Sequence, residues 1–298
     1  MLLYLCHISA SMLTAPPMQA AALLTPARRE RLARLKAPAD RARCLIGGLM
    51  LRRFADIESD SCLNFGPHGK PYAAAAESSP LPALSSLHSL SALSSQSSLS
   101  APSSPLSLSA LSASRSGSGA PLHFNLSHAG SCVLLGVDPE YEIGVDVELP
   151  RPLRREVCRL VCTGEETEWL RARNMVRLQA EAAGADAGLF AAQDGPAGDG
   201  QVDGSMKDFL TLWTAKEAVM KAVGEGFAMG AASFSVLPVI DGPHLIPVRS
   251  RRQPFLLQWF YRGSAVLCAA CMTSASSGFP CRLQELSSEQ LLEQSGLL

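Results

Sequence analysis

The rhythm of hydrophobic positions changes several times along the chain. It opens on an apolar run, MLLYLCHISASML. Thirteen residues are too few to cross a bilayer, and the basic flank of an export signal is missing, so the run favours a first β-strand, with an export signal as the alternative. From Pro26 to Phe54 apolar residues recur near the helical period, with Pro38 as a break. This predicts two helices, Pro26–Leu35 and Asp40–Phe54. Their polar faces gather Arg28, Arg29, Arg31, Arg34, Lys36, Arg41 and Arg43, the densest positive surface of the chain. It reads either as a solvated face or as a surface turned towards an anion.

NFGPHGKPYA (Asn64–Ala73) is a turn-rich loop, fixed by Pro67, Gly69 and Pro71. Between Ser78 and Gly119, 19 of 42 residues are serine and Arg115 is the only formal charge, so this stretch reads as a low-complexity insert outside any core. Order returns at Phe124–Gly130, FNLSHAG, expected as a loop before a strand. CVLLGV (Cys132–Val137) reads as a buried strand, DPEYE as a turn, and IGVDVE (Ile143–Glu148) as an alternating strand. The last two runs predict a hairpin with Asp146 and Glu148 on its open face.

Leu153–Arg173 reads as helical, with Thr163-Gly164-Glu165-Glu166 as an internal helix start. A second insert, rich in Ala, Gly and Asp, runs from Ala180 to Ser205. Lys207–Val223 predicts a helix closed by Gly224 and Gly226. SFSVLPVI, PFLLQWFYRGS and AVLCAACMT read as strands and SSEQLLEQ as a terminal helix. Strands and helices of this kind predict an α+β fold.

A net charge of −1 and a pI near 6.6 give no reason to expect nucleic acid as a partner. No other segment approaches a transmembrane length, so no membrane span is expected. Nine cysteines, an odd number at irregular spacing, predict reduced thiols and a cytoplasmic protein. Cys268 and Cys271 lack two further ligands nearby, and their odd separation on a strand points them to opposite faces, against a zinc site.

The candidate chemistry starts at Asp146 and Glu148. Two apart on a strand, they project from one face and repel each other at neutral pH. Such a pair needs a cation, a proton or full solvation. Mg²⁺ suits an all-oxygen donor set, and two wet surface acids are the plain alternative. In WTAKEAVMK (Trp213–Lys221), Glu217 and Lys221 are four apart. Alone they are an ordinary helical ion pair. Packed against the Asp146 strand, Glu217 would complete a three-carboxylate set with Lys221 beside it. Ser127 and His128 could donate to a phosphate. The spacing of a hydrolase nucleophile elbow is absent around Ser127.

Taken in order, GKPY (Gly69–Tyr72), FNLSH (Phe124–His128), IGVDVE (Ile143–Glu148) and LWTAKEAVMK (Leu212–Lys221) resemble the 4′-phosphopantetheinyl transferase family, of the surfactin-synthetase-activator type. DRARCLIG (Asp40–Gly47) and SFSV (Ser233–Val236) are similar to it too. The resemblance implies two similar α/β halves about a pseudo-twofold axis, residues 1–140 with the insert 78–119 and residues 141–298 with the insert 180–205, and a monomer. It implies transfer of the phosphopantetheine arm of coenzyme A, with Mg²⁺, to a serine of an apo acyl or peptidyl carrier protein. Adenosine 3′,5′-bisphosphate is the implied by-product. On the same footing, Asp146, Glu148 and Glu217 would hold Mg²⁺, Glu217 would act as general base, and Lys221 would meet the pyrophosphate. Ser127, His128 and Arg43 would bind the 3′-phosphate, Lys70 would line the adenine side, and Arg28–Arg31 could add phosphate contacts. The alternatives are a non-catalytic coenzyme A or nucleotide module of the same fold, and an Mg²⁺-dependent phosphohydrolase.

Overall fold

The computed structural model describes residues 1–66, 68–73, 122–151, 155–182, 204–248, 253–273 and 281–297. The inserts expected at 78–119 and 180–205 lie outside these residues, except for 180–182 and 204–205. Mixed helix and sheet form the described architecture. The first sheet has the order β10 (Arg282–Ser287), β1 (Leu2–His7), β5 (Cys132–Asp138), β4 (His123–Ala129). β10 runs parallel to β1, and the other pairings are antiparallel. The second sheet is antiparallel throughout, in the order β6 (Ile143–Glu148), β9 (Ala265–Met272), β8 (Phe255–Arg262), β7 (His244–Ile246). A short hairpin joins β2 (Leu63–Phe65) to β3 (Pro71–Ala73).

Strand alternation places three cores. On β1, Tyr4 and Cys6 face a first core with Val133, Leu135 and Val137 of β5, beneath α3 (Pro38–Ala55). Leu3 and Leu5 face the other way and meet Leu134, Val145, Val147, Leu267 and Ala269 in a second core shared by both sheets. On β9, Val266, Cys268 and Ala270 turn to a third core beneath α6 (Gly204–Val223). The order of layers is therefore helix, sheet, sheet, helix. Each sheet buries both faces, which is why CVLLGVD and AVLCAACM read as nearly unbroken apolar runs.

The remaining helices are α1 (Ala10–Thr14), α2 (Pro26–Arg34), α4 (Arg155–Val161), α5 (Gly164–Ala182) and α7 (Ser288–Gln294). α5 starts in a capping box: Glu166 N–H donates to Thr163 Oγ1 at 3.2 Å, and Thr163 N–H donates to Glu166 Oε2 at 2.7 Å. α7 carries a second box between Ser287 and Gln290. No helix among the described residues is long and apolar enough to cross a membrane. All nine cysteines are free thiols.

Four expectations of the fold need correction. Ser127 and His128 lie on strand β4, because FNLSHA pairs along its length with β5. β5 and β6 form no hairpin. Both edges of β5 are taken by β1 and β4, and β6 passes to the second sheet. The turn between them is held by Asp138 Oδ1, which accepts from the N–H groups of Glu140 and Tyr141. SFSVLPVI is not a strand. Ala231–Ser233 is a 3-10 turn, Pro238 has no N–H to give a ladder, and Val236 N–H donates to the Glu166 carboxylate instead. NFGPHGKPYA, expected as a loop, carries the paired strands β2 and β3 at its ends, and α1, β7 and β10 went unforeseen.

Candidate active site

The site forms where the two sheets meet. Asn125 Oδ1 accepts from Val145 N–H at 2.9 Å, a side chain standing in for a ladder bond between β4 and β6. On β4, Asn125 and Ser127 share the face turned to β6, while Phe124, Leu126 and His128 share the face turned to α3. Ser127 is buried, and its hydroxyl donates to Asp146 Oδ1 at 2.7 Å. Lys221 Nζ donates to the same oxygen at 2.6 Å and to Ser127 Oγ at 3.1 Å. Asp146 Oδ2 is buried and has no hydrogen-bond partner among the described residues.

α6 reaches this point because Gly144 lets it. A Cβ at residue 144 would lie 2.0 Å from Ala218 O and 2.4 Å from Ala222 N, so only glycine allows helix and strand to come this close. The carboxylates expected on an open face are instead covered by α6: Asp146 is 3% exposed and Glu148 is half-buried. Glu148 Oε1 accepts from Trp213 Nε1 at 3.0 Å and from Arg151 at 3.2 Å. Trp213, Glu217 and Lys221 stand at i, i+4 and i+8 and form one stripe of α6 over β6.

Electrostatics bind the group together. Burial and then the Asp146 charge push the Glu217 carboxyl above its ordinary value, Glu148 adds to the rise, and Lys221 opposes it. Burial and then Asp146 raise Glu148 as well. Burial raises Asp146 against the pull of Lys221. Three carboxyls thus crowd one desolvated place with one ammonium among them. As they stand, no three His, Cys, Asp or Glu side chains among the described residues are gathered closely enough to hold a metal ion.

The other expected residues fall around this centre. His128 is exposed on the opposite face of β4 from Ser127. Partial desolvation of its ring lowers its pKa first and Arg43 next, with Arg31 and Lys221 adding. Arg43, on α3, donates to Gly130 O at 2.8 Å and pairs with Asp40. Arg28 packs beside Gly47 and Gly48 of α3, and burial lowers its pKa. Lys70 enters from the β2–β3 hairpin. Its Nζ donates to Ala222 O at 2.6 Å, near the C-terminus of α6, with Glu142 at 3.8 Å. Burial brings its pKa down to about 8. A cleft here is lined by Lys70, Tyr72, His123, Phe124, Glu142 and Gly224. The structure therefore brings Ser127, Asp146, Glu148, Glu217 and Lys221 together, sets His128 with Arg43, and places Lys70 against Ala222 O at the C-terminal end of α6, next along the chain from Lys221.

Sequence reasoning missed Asn125, Gly144 and Trp213 as parts of the site. Trp213 had a readable signal, four residues before Glu217 on the same helix face. Asn125 and Gly144 had none, since both act across a contact between distant segments.

Residues 142–271 match the model of the 4′-phosphopantetheinyl transferase superfamily. The chain is 26% identical over 170 residues to the 4′-phosphopantetheinyl transferase Sfp of Bacillus subtilis, covering 57% of this chain and 62% of that protein. It is 25% identical over 149 residues to the 4′-phosphopantetheinyl transferase psf-1 of Bacillus pumilus, covering 50% and 52%. A putative 4′-phosphopantetheinyl transferase of Synechocystis is 30% identical over 109 residues, covering 36% and 33%. The first two matches span between half and two thirds of the relatives' own length.

Proposed function

We propose that this chain, which residues 142–271 identify as a member of the 4′-phosphopantetheinyl transferase superfamily, transfers the 4′-phosphopantetheine arm of coenzyme A to a serine of an apo acyl or peptidyl carrier protein. The by-product is adenosine 3′,5′-bisphosphate. The observation that carries this reading is the meeting of Asp146, Glu148, Glu217 and Lys221 inside the matched segment. The relatives named above carry the same activity in their names.

Mg²⁺ suits the chemistry of the donors: all three are carboxylates, Asp146 Oδ2 is buried without a partner among the described residues, and the mutual repulsion of the three is what a divalent cation relieves; the side chains would draw closer to hold it. Asp146, Glu148 and Glu217 would hold it, and it would neutralise charge developing on the coenzyme pyrophosphate.

The remaining work belongs to side chains. Glu217 takes the proton from the carrier's serine. The serine oxygen bonds to the phosphorus of the phosphopantetheine arm. The bond from that phosphorus to the bridging oxygen breaks, and its electron pair leaves with the adenosine bisphosphate. Lys221 donates to the pyrophosphate oxygens as charge builds there. A phosphoryl transfer asks for this kind of alignment and neutralisation more than for a covalent intermediate. His128 and Arg43 take the 3′-phosphate, with Ser127 orienting Lys221 and Asp146 beside it. Lys70 serves the adenine side, and Arg28 and Arg31 extend the phosphate surface. In this reading residues 1–140 and 141–298 are the two pseudo-twofold halves of a cytoplasmic monomer, with β10 and α7 crossing back to pack on the first half.

Product analysis tests the reaction class. Adenosine 3′,5′-bisphosphate should appear only when coenzyme A, Mg²⁺ and an apo carrier with its serine intact are all present. Release without a carrier would make the protein a hydrolase, and coenzyme A binding without release would make it a binding module.

A further inference from the structure

Lys216 and Glu166 have no part in the chemistry above, yet they form an ion pair in which both side chains are 0% exposed, with Nζ 2.9 Å from Oε2. Lys216 also donates to Ala231 O at 2.7 Å and Phe234 O at 2.6 Å, which uses all three ammonium protons. Glu166 Oε2 accepts from Thr163 N–H at 2.7 Å and Oε1 from Val236 N–H at 2.9 Å. One pair thus ties α6 to the start of α5 and to the segment 231–236.

Stability alone does not require such a pair, because two apolar side chains of similar volume often serve as well. Direction is what they would not supply. Apolar contacts let a helix roll by some degrees, whereas an ammonium fixed to two carbonyls and a carboxylate does not. Lys216 adjoins Glu217, about 100° away around the helix. Side-chain tips stand about 6 Å from a helix axis, so a roll of about 10° moves a tip by about 1 Å. A misplacement of that size costs a catalytic group about 100-fold in rate. The Gly144 contact sets how near α6 lies to β6. It does not set the roll.

We propose that Lys216, held by Glu166 and by the carbonyls of Ala231 and Phe234, is a positioning residue that fixes the roll of α6 and so aims Glu217 and Lys221 at Asp146. The inference rests on the proposed function only where it treats Glu217 and Lys221 as working groups.

The test is the double variant Glu166→Met/Lys216→Met, which removes both charges and keeps the volume. It should still melt cooperatively, at a lower Tm because the N–H groups of Thr163 and Val236 and the carbonyls of Ala231 and Phe234 lose their partners. Its kcat should fall about 10- to 100-fold with the KM for the carrier within about twofold, and its crystal structure should show Lys221 withdrawn from Asp146. Wild-type kcat, or a Lys221–Asp146 contact that stays intact, overturns the proposal. If the double variant does not fold, Glu166→Gln is read by the same measurements, with a smaller fall in kcat expected and unchanged kcat overturning the proposal. Should the wild type transfer nothing, the proposed function fails by itself, and the Lys221–Asp146 separation in the variant still decides the positioning claim.

Discussion

Three carboxyls with raised pKa values and one lysine make the site a place where the folded chain stores repulsion. A carboxyl whose folded pKa lies above its unfolded value binds more protons when folded. Its ionisation therefore costs stability above the folded pKa, and the cost fades as pH falls towards the unfolded value, about 4.3 for glutamate. Glu217→Gln removes that cost. Calorimetry should find the variant melting above the wild type at about pH 7, the gap closing as pH approaches about 4, and Mg²⁺ narrowing it at neutral pH by relieving the same repulsion. An equal or lower Tm for the variant at neutral pH would contradict the pKa assignment. At this scale much was legible. Asp146, Glu148, Glu217 and Lys221 were readable because strand and helix periods put them on single faces. The partition of Ser127 from His128 was not, because it depends on FNLSHA being a paired strand, with neighbouring residues on opposite faces.

At the scale of elements, the site is the contact of α6 with β6. Gly144→Ala forces a methyl group to within 2.0 Å of a helix carbonyl that has no freedom to move aside. Denaturant melts should show a loss of about 3 kcal/mol or more, with transfer falling as α6 is pushed off the strand. A variant as stable as the wild type would mean that α6 and β6 lie further apart than described. Trp213→Phe keeps an aromatic ring and removes the N–H donated to Glu148 Oε1. Its expected signature is a rate loss of about 10-fold, about 1.4 kcal/mol, with little change in Tm. A wild-type rate would release Trp213 from any part in the site. Element boundaries were largely predictable: Pro26–Arg34, Pro38–Ala55 and the Thr163 helix start follow from proline and capping signals. Pairing was not. The turn DPEYE between two apolar runs carries the local signature of a hairpin. It says nothing of β1 and β4 occupying both edges of β5, since those partners come from 125 residues upstream and from a strand that had read as a loop.

On the scale of the whole molecule, two sheets share a core and each carries a helix on its outer face, which brings the β4–β6 seam and α6 into one site. The serine-rich stretch enters and leaves this architecture at one point. Ala73 and Leu122 exchange both backbone hydrogen bonds, at 2.9 and 3.3 Å, so the described ends are already neighbours. Replacing residues 78–119 by a short glycine–serine link should therefore leave the cooperative melt and the transfer rate within about twofold, since closing a shorter loop between fixed ends costs little. Loss of folding or of activity would give that stretch a part in the protein's work. Its composition marked it as separable from the core. The joining of its ends was invisible to composition, because it depends on β3 and β4 meeting in space.

The central claim is tested most directly by weighing the acceptor. Apo acyl and peptidyl carrier proteins, mixed with this protein, coenzyme A and Mg²⁺, should gain the mass of one phosphopantetheine on their serine. The gain should vanish with EDTA and with Glu217→Gln. Carriers that stay unmodified across the panel, with coenzyme A bound and intact, would contradict the account.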